Sequence, residues 1–467
     1  MTVLLPIATI QPSFSSVIDD VHEGLIPAED FWISCYKFGD TSVHGKVKVS
    51  ASEGNRSEVR LDARDGVEIE KLGGGSYTVA CPALAIPHTK IALPRQVFSD
   101  SESSERRIPR KITAFDVSPD GTRFATGFDD GSVHLTPIIS RSQSQAHGSS
   151  GSGQPAAKIH LTTVSDLRFF PSSRVLLSAG EDFALSILPA DLLHDSSTPP
   201  PNFSPVRTLK GHKRAITRTA IISRGRNVLS CAKDGTVRLW DVGGGQQIRS
   251  MWVQRYTPVM SMSLGERRET LFSGPVHEES VNGNGVSTGL PIDSREVDTE
   301  DKLVFCALQN GEFEAFDLGT KHSVYLSSSS SPDHVGQKLP ALTSIAYSPT
   351  HHLLATGSLH GLVTVYDTRN FASPLTSFKR NASSIENLAL TVPSTWLGSS
   401  APLLGEIGLV IGTEDGLPYV AGIHPEGPGV VAELVGVDCD AVRIVRVRGE
   451  GEADIWTAAD DGVVRRY

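Results

Sequence analysis

The chain has 467 residues, 39% hydrophobic and 21% charged, the make-up of an ordinary globular protein with room for two or three domains or one large repeat fold. Its formal net charge of −10 argues against nucleic acid as the main partner, and no run approaches the roughly 20 apolar residues that cross a bilayer. The five cysteines (Cys35, Cys81, Cys231, Cys306 and Cys439) are far apart and form no CxxC, so neither a zinc site nor a disulfide framework is indicated, and a reducing compartment is expected.

Met1 to Ile10 is mildly apolar, but it lacks a basic start and Pro6 interrupts it, so no signal peptide is expected. Short strands are predicted at Phe31 to Lys37, Lys46 to Val49, Val59 to Leu61, Val67 to Glu70 and Tyr77 to Cys81, separated by Gly-rich and polar turns. Residues 1–88 therefore read as a small β-rich accessory domain.

From about residue 89 a repeat sets in, marked by tight turns. These are Asp130-Gly131, Asp182-Phe183, Asp234-Gly235, Asn310-Gly311, His360-Gly361, Asp415-Gly416 and Asp461-Gly462, separated by 52, 52, 76, 50, 55 and 46 residues. Asp-Gly between apolar runs is a strong hairpin signal, because the turn needs a positive φ that glycine adopts without steric cost. Four residues before the turns stand Thr126, Ser178, Ser230, Cys306, Thr356, Ile411 and Thr457, so five of seven positions carry a hydroxyl.

The third repeat is the most complete. Gly211-His212 precedes a first strand at Ile216 to Ile222, Ser230 lies in the second strand, Asp234 in the turn and Trp240-Asp241 at the end of the third. This is the pattern of a WD repeat, the unit of propeller blades. His212, Ser230, Asp234 and Trp240 are the residue types of the tetrad that ties such a turn to its sheet. A serine, a histidine and an aspartate also invite a catalytic-triad reading, but the tryptophan and the hairpin account for all three structurally. His160 stands at the corresponding place in the second repeat, without its glycine.

Seven repeats of this kind predict an all-β fold: a seven-bladed WD-repeat β-propeller over residues 89–467 with the N-terminal accessory domain before it. The chain ends on a third strand at Tyr467, so the outer strand of the last blade is expected from about 90–97. Polar insertions at 140–154, 195–205, 265–299 and 327–338 are expected as surface loops, mostly on the side away from the turns.

The turn side is the expected binding surface. Asp129, Glu181, Glu414 and Asp460 immediately precede four of the turns, Asp130 and Asp182 lie in them, and Asp438 and Asp440 fall in the loop entering the last blade. Together they predict an acidic ring suited to a basic protein partner. Acidic turns are common for conformational reasons, and that bland reading applies to each residue singly. There is no GxxxxGK[ST], no GxGxxG between strand and helix, and no His, Cys or carboxylate set at metal-ligand spacing. No enzyme activity, cofactor or metal is expected.

Three stretches narrow the reading: Gly211 to Asp241, Ser294-Arg295-Glu296-Val297, and Leu434 to Tyr467 with Asp438-Cys439-Asp440 inside it. With Trp32 to Cys35 they resemble the proteasomal ATPase-associated factor one family, WD-repeat chaperones of the proteasome regulatory particle base. The resemblance implies a non-enzymatic assembly factor, cytoplasmic and nuclear. It implies a monomer that binds the C-terminal domain of an ATPase subunit until the ring is assembled, with neither nucleic acid nor membrane as a partner. The alternative is a WD-repeat substrate receptor of a ubiquitin ligase or a signalling scaffold.

Overall fold

The computed structural model describes residues 2–52, 59–72, 76–99, 109–138, 156–191, 203–267, 293–327, 339–391, 407–424, 426–449 and 454–467. The four polar insertions lie wholly or largely outside these residues. The chain divides into two compact units: residues 102–359 with 365–375, and residues 1–101, 360–364 and 376–467.

The first of these units is built from antiparallel four-strand meanders. They are Ile112–Val117, Arg123–Phe128, Ser132–Pro137 and Ala156–Lys158; then Val164–Phe169, Val175–Gly180, Ala184–Pro189 and Arg207–Lys210. Next come Ile216–Ile222, Asn227–Ala232, Thr236–Asp241 and Gln246–Trp252; then Val259–Glu266, Lys302–Leu308, Phe313–Asp317 and His322–Leu326. Leu342–Ser348 and Leu353–Ser358 open a fifth run of four strands, within which the chain passes from one unit to the other.

The second and third strands are nearly continuous apolar runs, because both faces of each sheet are covered. Leu229, Cys231, Val237 and Leu239 pack with Val304, Cys306 and Leu308 of the following sheet in one fully buried cluster. The hairpin glycines take the positive φ that the sequence anticipates: 87° at Gly131, 76° at Gly235 and 88° at Gly311. In the second turn Phe183 holds the same place at φ 69°.

Each first strand also carries a bulge near its start, at Ile112/Ala114, Val164/Asp166, Ile216/Arg218, Val259/Ser261 and Leu342/Ser344. Polar side chains from these strands stitch one sheet to the next. The Phe169 N–H donates to Asp116 Oδ2 at 2.8 Å, the Thr219 N–H and hydroxyl donate to Asp166 Oδ2 at 2.8 and 2.7 Å, and the Tyr347 N–H donates to Ser263 Oγ at 3.0 Å.

The other unit contains two further meanders. One is Ile385–Thr391, Ile407–Thr413, Tyr419–His424 and Gly427–Leu434; the other is Val442–Arg448, Asp454–Ala459 and Val463–Arg466 with Gln96–Ser99 as its fourth strand. Among the described residues seven blade-type runs of strands can be followed, and the fold is a WD-repeat β-propeller.

Two N-terminal expectations change. The strand closing the last sheet is Gln96–Ser99 alone, paired with Val463–Arg466; Lys90 to Ala92 instead pairs in parallel with Ala432 to Leu434. Pro94, which has no N–H to donate, separates the two stretches. A boundary at residue 88 would cut the strand Ile86–Ala92, which, with Tyr77–Cys81 and Glu68–Lys71, extends the sheet of Gly427–Leu434 to seven strands.

The rest of the N-terminal region is a sheet of Ile7–Ile10, Ala28–Tyr36, Val43–Ala51 and Val59–Ala63 covered by a helix, Phe14–His22, beyond the strands expected there. Its signal is in the sequence: Phe14, Val17, Ile18 and Val21 recur at helical spacing and are the residues buried against Phe31, Ile33 and Tyr77. Thr2–Leu4 pairs in parallel with the strand Thr376–Lys379. The Arg380 guanidinium donates to the Pro6 carbonyl at 2.9 Å and forms a buried ion pair with Glu433, which also accepts the Ala8 N–H at 3.1 Å.

Candidate protein-interaction face

His212, Ser230, Asp234 and Trp240 form a directed chain of hydrogen bonds. The Trp240 indole N–H donates to Ser230 Oγ at 2.9 Å, Ser230 Oγ lies 2.7 Å from His212 Nε2, and His212 Nδ1 lies 3.0 Å from Asp234 Oδ2. The Asp234 carboxylate can only accept, which places the imidazole proton on Nδ1; Nε2 of the neutral ring then accepts from the serine hydroxyl, whose oxygen accepts from the indole. Burial depresses the His212 pKa and the nearby Asp234 only partly restores it, so the ring is neutral.

Asp234 also accepts the N–H groups of Lys213 and Thr236 and the Thr236 hydroxyl. Burial opposes its charge, yet these donors and His212 hold its carboxyl far below the usual range. Ser230 is fully buried and saturated by this chain, with no face open to a substrate, so the triad reading fails on access.

The second sheet repeats the design in part. His160 spans Asp182 Oδ1 and Ser178 Oγ at 2.9 Å each, and the Leu161 N–H donates to Asp182 Oδ2 at 3.0 Å; Leu188 fills the tryptophan position. In the sixth sheet Asn381 takes the histidine role, donating to Asp415 Oδ2 at 2.6 Å. The sequence hid this, because Ile411 removes the hydroxyl and Asn381 is not a Gly-His.

In the unit of residues 102–359, the predicted acidic residues share one side. Asp129, Asp130 and Glu181 are exposed and Asp182 is half-buried. Burial works against the charge on Asp130, but Ser132 and Arg110 outweigh it and hold the carboxyl below its usual range; hydrogen bonds from Leu161 and His160 do the same for Asp182. The loops around the turns pack directly on them. A Cβ at Gly131 would lie 2.2 Å from the His160 carbonyl oxygen, and one at Gly235 2.7 Å from the Tyr256 backbone. The side is not uniformly acidic: Lys213, Arg214 and Arg255 are exposed around the third turn, and Lys233 reaches Glu181 at 3.6 Å.

In the other unit Glu414 and Asp438 are exposed, and the loop of Asp438-Cys439-Asp440 lies on the Asp415-Gly416 turn, where a Cβ on Gly416 would meet Asp440 at 2.8 Å. Burial, then the charges of Asp461, Asp460 and Asp438, raise the pKa of Asp440 against the opposing pull of Arg465. Asp460 is not a free contact residue: it is buried, and Arg443 grips both its oxygens at 3.0 and 2.9 Å. Among the described residues no group of three or more His, Cys, Asp or Glu is arranged to hold a metal ion.

The Ser294 to Val297 motif lies away from the turns and acts as a clamp. Buried Asn227 donates to the Arg295 carbonyl at 3.0 Å and accepts the Val297 N–H at 2.7 Å. Glu296, its side chain 3% exposed, sits between Arg249 at 3.4 Å and Lys321 at 3.7 Å.

The WD domain, G-beta repeat, matches residues 106–135, 203–241 and 328–367. The chain is 23% identical over 357 residues to the ribosome biogenesis protein ytm1 of Aspergillus niger, covering 74% of this chain and 65% of that protein. It is 29% identical over 228 residues to the 26S proteasome regulatory subunit RPN14 of Saccharomyces cerevisiae, covering 48% of this chain and 46% of the relative. It is 23% identical over 282 residues to a guanine nucleotide-binding protein subunit beta of Oryza sativa, 55% of this chain and 68% of that protein. Alignment thus spans less than two thirds of the first two relatives. These likenesses are to WD-repeat proteins, a group of generally non-catalytic interaction scaffolds.

Proposed function

We propose that this WD-repeat protein is a non-enzymatic assembly chaperone of the proteasome regulatory particle base, which binds the C-terminal domain of an ATPase subunit through carboxylates on the turn side of its sheets. The observation that carries the proposal is the crowding of carboxylates around Asp440, in the loop packed on the Asp415-Gly416 turn, where burial and then the charges of Asp461, Asp460 and Asp438 raise its proton affinity. Such a cluster without a metal-ligating arrangement is stabilised by an incoming lysine or arginine. The likeness to RPN14, a 26S proteasome regulatory subunit, covers about half of the chain and supports a role at the proteasome. Cytoplasm and nucleus are the compartments this role requires.

The test is direct binding of the purified chain to the isolated C-terminal domains of the proteasomal ATPases. Affinity for one or two of them that weakens with salt and is lost in Asp438→Lys/Asp440→Lys supports the proposal. A chain that ignores all of them refutes it. The broader alignment to ytm1 favours a second reading, a scaffold in ribosome assembly; recovery of pre-ribosomal proteins and no proteasomal ATPase would select it.

A further inference from the structure

Among the described residues of the unit formed by residues 102–359, Leu359 stands exposed beside the fifth turn at 47%, and four large apolar side chains stand exposed around the second and third turns: Leu161 at 83%, Phe183 at 43%, Trp252 at 53% and Tyr256 at 67%. These four belong to one connected edge. Asp182 holds the Leu161 N–H at 3.0 Å and precedes Phe183; Glu181 reaches Lys233 at 3.6 Å; the Tyr256 backbone packs on Gly235; and the Tyr256 ring meets Trp252 edge-on at 5.3 Å.

Two of the four are held in a conformation their side chains resist. Phe183 has φ 69° at the place where the other six turns have glycine, and Tyr256 has φ 54° beside Arg255 at φ 58°. A glycine at either place would relieve the backbone, and neither ring is buried in a core, so the fold does not explain the aromatics. Exposed aromatics on rigid turns are the usual anchors of protein interfaces. The charges flanking them are unevenly placed: Asp129 and Asp130 lie beyond Leu161, with Lys111 and Arg110 beside them, whereas the exposed charges Lys213, Arg214 and Arg255 flanking the third turn and Tyr256 are basic.

We infer that Leu161, Phe183, Trp252 and Tyr256 form the anchoring centre of a docking surface for a protein segment that is apolar in the middle, basic over Asp129 and Asp130, and acidic over Arg214 and Arg255. This deepens the function proposed above and rests on it only in taking the turn side as the binding side. It moves the energetic centre from the carboxylates to the aromatics and requires a partner of mixed charge.

The strained positions supply variants that separate binding from folding. Phe183→Gly and Tyr256→Gly each remove a ring and relieve the backbone, so melting temperatures stay within about 3 °C of the parent. With the full chain and the purified ATPase C-terminal domains as probes, each variant should bind at least tenfold more weakly, and Arg255→Glu should weaken binding as Asp129→Lys does. If an ATPase domain binds and both glycine variants bind it as the parent does, the inference falls while the chaperone reading stands. If no ATPase domain binds, a photoreactive phenylalanine analogue at position 183 decides in cells. Cross-links mapping to one partner segment with the stated charge order support the inference and reject the ATPase; cross-links to segments without that order, or none, overturn the inference.

Discussion

Ser230→Ala tests the hydrogen-bonded chain at its centre. The hydroxyl accepts from the Trp240 indole at 2.9 Å and donates to His212 Nε2 at 2.7 Å, and both rings are buried. Its removal strands one donor and one acceptor, each at about 1–3 kcal/mol, so the third sheet should lose roughly 2–6 kcal/mol of local stability. The second sheet provides an internal control. Ser178 serves His160 at 2.9 Å, but Leu188 stands where the tryptophan would be, so Ser178→Ala strands one group and should cost roughly 1–3 kcal/mol. Native-state hydrogen exchange, followed separately on the amides of Ile216–Ile222 and Val164–Phe169, reads the two sheets independently. A loss at Ser178→Ala equal to or larger than that at Ser230→Ala would refute the reasoning.

Acid should loosen the second and third sheets before the rest. The folded pKa values of His160 and His212 lie below 6.5, so the unfolded chain binds more protons as pH falls from about 6.5 through the folded values. Their contribution is complete above that window and is lost within it; exchange protection that rises on acidification from pH 7.5 to 5.5 would contradict this. Glu296→Gln should cost about 3 kcal/mol, since it leaves Arg249 and Lys321 without their buried carboxylate; an unchanged urea midpoint would show that the clamp carries no load. Asp460→Lys should destabilise the last sheet through Arg443, whereas Asp438→Lys should leave the melting temperature unchanged and weaken binding alone.

What the sequence revealed was what repeats. The Asp-Gly pairs are legible because one φ requirement recurs at each turn, and His212, Ser230, Asp234 and Trp240 because all four survive in one repeat. Where a repeat degenerates, substitutes such as Asn381 for histidine are recognisable only through the Asp415 contact. The bulges opening the first strands leave no residue signature, since they arise from how each sheet meets its neighbour. The helix Phe14–His22 was readable from its apolar spacing, but it is short and lies among strands.

The acidic side shows the same limit. Counting carboxylates beside turns finds Asp129 and Asp438, but it also selects Asp460, which Arg443 has consumed. It overlooks Lys213, Arg214 and Arg255, which sit on the facing loops rather than in the turns. Ser294 to Val297 stood out as a motif, but its task depends on Asn227, Arg249 and Lys321 from other sheets.

The most direct test of the central claim is calorimetric titration of the purified full chain with each proteasomal ATPase C-terminal domain at low and at physiological salt. The account predicts one-to-one binding to one or two of them, weakened by salt and by Asp438→Lys/Asp440→Lys. Absence of heat with every domain, or binding that neither salt nor the double variant changes, would contradict it.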